Sequence, residues 1–97
     1  MNSIKYDFTS KEVSLIINSL NSLRNYMSMQ ERATNVIDEM ILKISNNKIE
    51  FDIYESKILI NSLNNFRYKL KSTNESCSEV NDLLLKIINY TSKDNNK

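Results

Sequence analysis

The chain contains no glycine and no proline. Without glycine there is no phosphate-cradling loop of the usual kind, and turns that need positive φ fall to Asn or Asp. Histidine is absent too, which removes the usual general base near neutral pH and the Glu-x-x-His ligand pattern of di-metal bundles. The single cysteine, Cys77, forms neither an intramolecular disulfide nor a zinc site. No apolar run approaches the roughly 20 residues of a membrane span, and no stretch has the apolar core of a signal peptide. With 13 basic and 12 acidic residues the net charge is +1, and the two signs are interspersed. A duplex-DNA binder needs a concentrated positive stripe to displace counterions, and none is present. The acid–base, nucleophile and metal routes to catalysis fail together. The expectation is a non-enzyme with no cofactor and no metal site, in a reducing cytoplasm.

What is present is a repeat. Residues 5–46 align without a gap on residues 48–89, at a constant offset of 43. Identities include Phe8/Phe51, Glu12/Glu55, Ser19/Ser62, Leu20/Leu63, Arg24/Arg67 and Lys43/Lys86. Two copies of one unit predict a pseudo-two-fold molecule, because equivalent apolar faces bury each other best by symmetric stacking. At 97 residues the chain is one domain with a thin core.

Each repeat opens on alternation. Ile4, Tyr6 and Phe8 in the first, and Ile49 and Phe51 in the second, recur at every second position, which is strand periodicity. The two stretches either pair into a minimal two-stranded ribbon or plug the core as extended linkers. A helix start follows each. Thr9-x-x-Glu12 is a capping box, and Asp52 stands as the cap ahead of Glu55 in the second copy. Both glutamates are therefore capping residues. Ile16, Leu20, Leu23 and Met27 then mark helix 1, and Leu59, Leu63, Phe66 and Leu70 mark helix 3. Met29, Ala33, Val36, Ile37, Met40, Ile41 and Ile44 are assigned to helix 2, and Val80, Leu83, Leu84, Ile87 and Ile88 to helix 4. A loop is expected at 72–76, with Ser76 and Glu79 as a further capping box, and a frayed tail at 91–97. The predicted architecture is all-α, two αα-hairpins in a four-helix bundle. One continuous helix through 10–45 is the competing arrangement, since nothing near Ser28 forbids it, and it would force the chain to dimerise or swap.

Two groups of residues exceed what the core needs. Asn18, Asn21 and Arg24 lie along one flank of helix 1, and Asn61, Asn64 and Arg67 repeat them on helix 3. Arginine forks and side-chain amides suit a phosphate or carboxylate, with Tyr6, Tyr26, Tyr54, Phe66 and Tyr68 available for stacking. The structural reading is that each arginine covers the core with its stem and pairs with an acid, Glu31 or Glu75 by position. Leu42 and Leu85 form the second group. Each sits one step off its apolar stripe. They are either covered by the other repeat or form an interface, and a chain this small favours a homo-oligomer.

The pattern from Lys5-Tyr6-Asp7-Phe8-Thr9 through Arg24, repeated from Lys48-Ile49-Glu50-Phe51-Asp52 through Arg67, resembles small helical accessory proteins of phages and mobile elements of low-GC Gram-positive bacteria. Such proteins commonly carry the unit once, so its doubling here departs from the pattern. The resemblance implies an accessory or anti-defence protein in the host cytoplasm that binds and blocks a host protein. A sponge that sequesters a small anionic nucleotide signal through the Asn/Arg flanks is the second expectation. A small nucleic-acid-associated regulator presenting Lys43, Lys48 and Lys86 is the third.

Overall fold

The computed structural model describes residues 3–95. In chain order they form β1 (Ile4–Lys5), α1 (Ser10–Met29), α2 (Asn35–Ser45), β2 (Glu50–Phe51), α3 (Ile53–Ser72) and α4 (Ser78–Asn95). Four helices and a two-stranded ribbon make the all-α bundle anticipated from the apolar periodicity. Both predicted caps are in place. Thr9 accepts from the Glu12 amide at 3.1 Å while Glu12 accepts from the Thr9 amide at 2.8 Å. Asp52 and Glu55 reproduce the exchange at 2.8 and 3.1 Å. Each box satisfies amides that a helix start otherwise leaves without partners.

The continuous helix through 10–45 does not form. α1 stops at Met29, and Glu31 turns the chain at φ 58°. The Arg32 amide then reaches back to the Met27 carbonyl at 2.9 Å. Forty-three residues later Asn74 stands at φ 60° and the Glu75 amide reaches Leu70 at 2.8 Å. Asn47, at φ 60°, ends α2 the same way. These are left-handed stops of the kind that glycine usually fills. Asparagine tolerates the region, whereas Glu31 occupies it without the local side-chain compensation that asparagine offers.

Several boundaries differ from expectation. α2 begins at Asn35, so Ala33 lies in the connection, and Met29 belongs to α1, where it is 85% exposed. Ser76 and Glu79 do not close a capping box. The Ser76 hydroxyl takes the Ser78 amide at 3.4 Å, and Glu79 reaches across to Lys11 at 2.8 Å. The tail is helical through Asn95 rather than frayed from Thr91, and the last part of that expected tail, 96–97, lies outside the described residues.

The ribbon forms. Ile4 pairs with Phe51 and Lys5 with Glu50, antiparallel, and the Tyr6 amide donates to the Ile49 carbonyl at 3.0 Å. Tyr6 and Ile49 are themselves equivalent at the offset of 43. A contact between residues at the repeat offset is what the expected pseudo-two-fold would place on its axis. A second such contact occurs in the core, where the Ser19 and Ser62 hydroxyls meet at 3.4 Å between α1 and α3. Around it the buried apolar residues come as equivalent pairs, Ile16 with Leu59, Leu20 with Leu63, Met40 with Leu83 and Ile44 with Ile87. Each such side chain contributes about 1.5–3 kcal/mol by leaving water.

Besides the more exposed pairs Lys5–Glu50 and Lys11–Glu79, two equivalent ionic clasps join the halves. The Lys43 ammonium donates to both carboxylate oxygens of Glu55 at 2.9 and 3.1 Å and lies 5.7 Å from the Phe51 ring centre. Lys86 donates to Glu12 at 2.8 Å and lies 5.6 Å from the Phe8 ring. Each lysine comes from one repeat and each glutamate from the other. Burial pushes the Glu12 carboxyl up, but hydrogen bonds from Lys86 and Thr9 outweigh it and hold the group below its usual range. Because the folded-state value is depressed, the stabilisation is present above the unfolded value and is lost as pH falls through the folded one. Glu12→Gln is therefore expected to cost stability at neutral pH, and the gap to wild type should close between about pH 5 and pH 3 in urea titrations. Removing one lysine is a separate test. Lys43→Met strands a buried Glu55 and should destabilise by about 1–3 kcal/mol. Lys86→Met should cost less, because Glu12 is the more exposed acid.

Candidate functional site

The Asn/Arg flanks resolve into two unequal copies. In the first, the Arg24 Nε donates to Asp38, whose second oxygen takes the Thr34 hydroxyl at 3.0 Å. The Arg24 bond, followed by that of Thr34, holds the Asp38 carboxyl below its ordinary value. In the second, Arg67 donates to the side-chain carbonyl of Asn81 at 3.3 Å. Glu31 and Glu75, the partners expected from chain position, are not used. Glu31 forms the left-handed stop of α1, and Glu75 accepts from the Thr73 hydroxyl at 2.7 Å. Position 38 carries a carboxylate and position 81 an amide, so among the described residues the Arg24 charge is neutralised and the Arg67 charge is not.

Three hollows lie beside these helices. One of about 330 Å³ between α3 and α4 is lined by Ile60, Asn64, Arg67, Asn81, Leu84, Leu85 and Ile88. It brings Asn64, Arg67 and Leu85 together from the two groups picked out in the sequence. A groove of about 400 Å³ runs where α3 faces the α1–α2 turn, and Asn61 and Asn64 line it with Arg32 and Tyr54. A third, of about 440 Å³, sits over Ser19 and Ser62 with Tyr26 and Lys69 on its walls. This hollow at the symmetry axis is lined by none of Asn18, Asn21, Arg24, Asn61, Asn64 and Arg67. Asn18 and Asn21 are exposed on α1.

Leu42 and Leu85 are each 61% exposed. The other repeat does not cover them, because α2 and α4 are the outer helices, packed chiefly on α1 and α3 respectively. Ile88 extends the Leu85 side of the surface and is also exposed. Among the aromatic residues considered for stacking, Tyr26, Tyr54 and Tyr68 face solvent. Tyr6 is buried, stacked on Phe8 at 5.2 Å and bonded to the Ser56 hydroxyl at 2.8 Å, so it serves the core. Lys43 and Lys86 are committed to the clasps.

Among the described residues, no helix is long and apolar enough to cross a membrane, and no group of three or more Cys, Asp or Glu is placed to hold a metal ion. The Cys77 thiol is half-buried against the Arg67 and Glu75 carbonyls at 3.7 and 3.8 Å.

The clasps are the feature that sequence reasoning missed. Lys43 and Lys86 are identical at the offset of 43, as are the glutamates that capping already explained, and that double recurrence was the available signal. The unequal arginines supply a direct check. Asn81→Asp gives Arg67 the partner that Arg24 already has, so the urea midpoint should rise slightly at low ionic strength and the gain should vanish in high salt. No family model matches the chain, and neither a curated protein nor a solved structure matches it significantly.

Proposed function

We propose that this chain is a non-catalytic binding protein that acts by covering a surface of another protein with the outer faces of α2 and α4. The observation that carries the reading is the exposure of Leu42 and Leu85, 61% each. A leucine at one exposed position is ordinary. The same leucine exposed at two positions that are equivalent in the repeat is a repeated surface. Beside Leu85 the hollow adds Leu84, Ile88 and the unneutralised Arg67, an apolar centre with a cationic edge that suits a protein surface carrying an acid.

In the phage or mobile-element setting that the sequence resemblance implies, the partner is a host protein and the effect is to block it. Two equivalent faces on one chain also allow two partner copies to be held at once, or copies of the chain to associate, and linked contacts of this kind raise avidity without new chemistry.

The test pairs Leu42→Glu and Leu85→Glu, singly and together. Both side chains are largely in water, so the variants should keep the wild-type circular dichroism and urea midpoint. Sedimentation of the pure protein and affinity capture from host lysate are then compared. Loss of one reproducibly captured protein, or of self-association, in the double variant is the expected result. A double variant that captures and sediments like wild type would sink the proposal.

A further inference from the structure

The two repeats differ in character at the groove beside Arg32. Its apolar floor is Leu23, Met27, Ile37 and Ile58. At the equivalent positions of the other repeat, Phe66 replaces Leu23, Glu79 replaces Val36 and Lys11 replaces Tyr54. Lys11 and Glu79 are joined there at 2.8 Å, so a salt bridge spans the place that the groove leaves open. Charge reverses as well. Arg32 stands where the other repeat has Glu75. Every one of these differences makes the groove wider, more apolar or more positive than its counterpart.

The polar groups around it are uncommitted. Among the described residues, the Arg32 guanidinium makes no ion pair or side-chain hydrogen bond, whereas Arg24 and Arg67 each have a partner. On the facing wall Asn61, Asn64 and Asn65 of α3 line the groove with their amides likewise unpartnered, and Tyr54 is exposed at its mouth. A guanidinium fork suits a phosphate. Side-chain amides carry a donor and an acceptor together and match the edge of a base. An exposed tyrosine face stacks on a heteroaromatic ring. A volume of about 400 Å³ is in the range of small-molecule sites and too small for a folded partner.

From this convergence we propose that the groove binds a nucleoside 5′-phosphate, with Arg32 on the phosphate and Tyr54 and the α3 asparagines on the base. The groove shares only Asn64 with the Leu85 hollow and includes neither Leu42 nor Leu85, so the variants that test it differ from those that test the leucine faces.

The experiment is an amide-resolved NMR titration of the full chain with AMP, GMP, CMP and UMP, with the four nucleosides, and with inorganic phosphate. The expected result is saturable shifts around Leu23, Tyr54, Ile58 and Asn61 with at least one nucleotide. Its nucleoside should bind about tenfold more weakly, and phosphate alone should not saturate. Arg32→Ala should bring the nucleotide down to the affinity of the nucleoside. Tyr54→Lys combined with Val36→Glu installs the opposite repeat's salt bridge and should abolish binding. Among the described residues Arg32 makes no side-chain bond, so its variant retains the fold even if the double variant does not. Absence of saturable shifts with all four nucleotides at millimolar concentration overturns the proposal. So do shifts that map elsewhere, or equal affinity of wild type and Arg32→Ala.

Discussion

The contact of Ser19 with Ser62 is the constraint from which the rest of the bundle follows. Both side chains are buried between α1 and α3, and each hydroxyl bonds the carbonyl one turn back in its own helix, Ile16 and Leu59, at 2.9 Å. Small residues at a crossing let two helix backbones approach closely, and these bonds remove the cost of burying a hydroxyl there. The close approach seats Ile16 and Leu20 against Leu59 and Leu63. It also sets the distance at which α2 and α4 can reach across to the glutamates of the opposite half. A bulky pair at the crossing would separate α1 from α3 and pull both ionic clasps out of register.

The clasps explain why the halves are not independent hairpins. Each glutamate closes its own helix start and also receives a lysine from the other repeat. The desolvation that this imposes is offset by the capping amides and by the aromatic face beside each ammonium. A short-range motif is thus built into a long-range contact. The ribbon adds a third link at the same end of the molecule, with Tyr6 sealed by Phe8, Phe51 and Tyr90.

What could be read in the sequence follows from range. Thr9 with Glu12, and Asp52 with Glu55, act over three residues, so both caps are visible in the string. The apolar stripes are visible because one helix face has one period. The stop at Glu31 is not, because its usual marker is glycine or asparagine and the chain places a glutamate there. Met29 shares the apolar spacing of Ala33, Val36 and Met40 and so reads as part of helix 2, although it is the last residue of α1. The Arg24 partner was sought near the turn, whereas helix packing brings Asp38 to it. For the candidate surfaces, the identical positions gave Asn64, Arg67 and Leu85, which do share a hollow. The groove was illegible because identities mark what the repeats have in common. It is made by differences, Arg32 against Glu75 and Val36 against Glu79, and only the packed structure shows that those differences meet.

The way the first strand is covered has a consequence for how the chain is made. Synthesis runs from the N-terminus, so Ile4, Tyr6 and Phe8 are made before the residues they contact, Ile49, Phe51 and Tyr90. The Asp7 amide likewise waits for the Tyr90 hydroxyl, and Glu12 for Lys86. An emerging first half has its helices but not the surface that buries its opening aromatics. Enclosure of these aromatics therefore waits until α4 has been made.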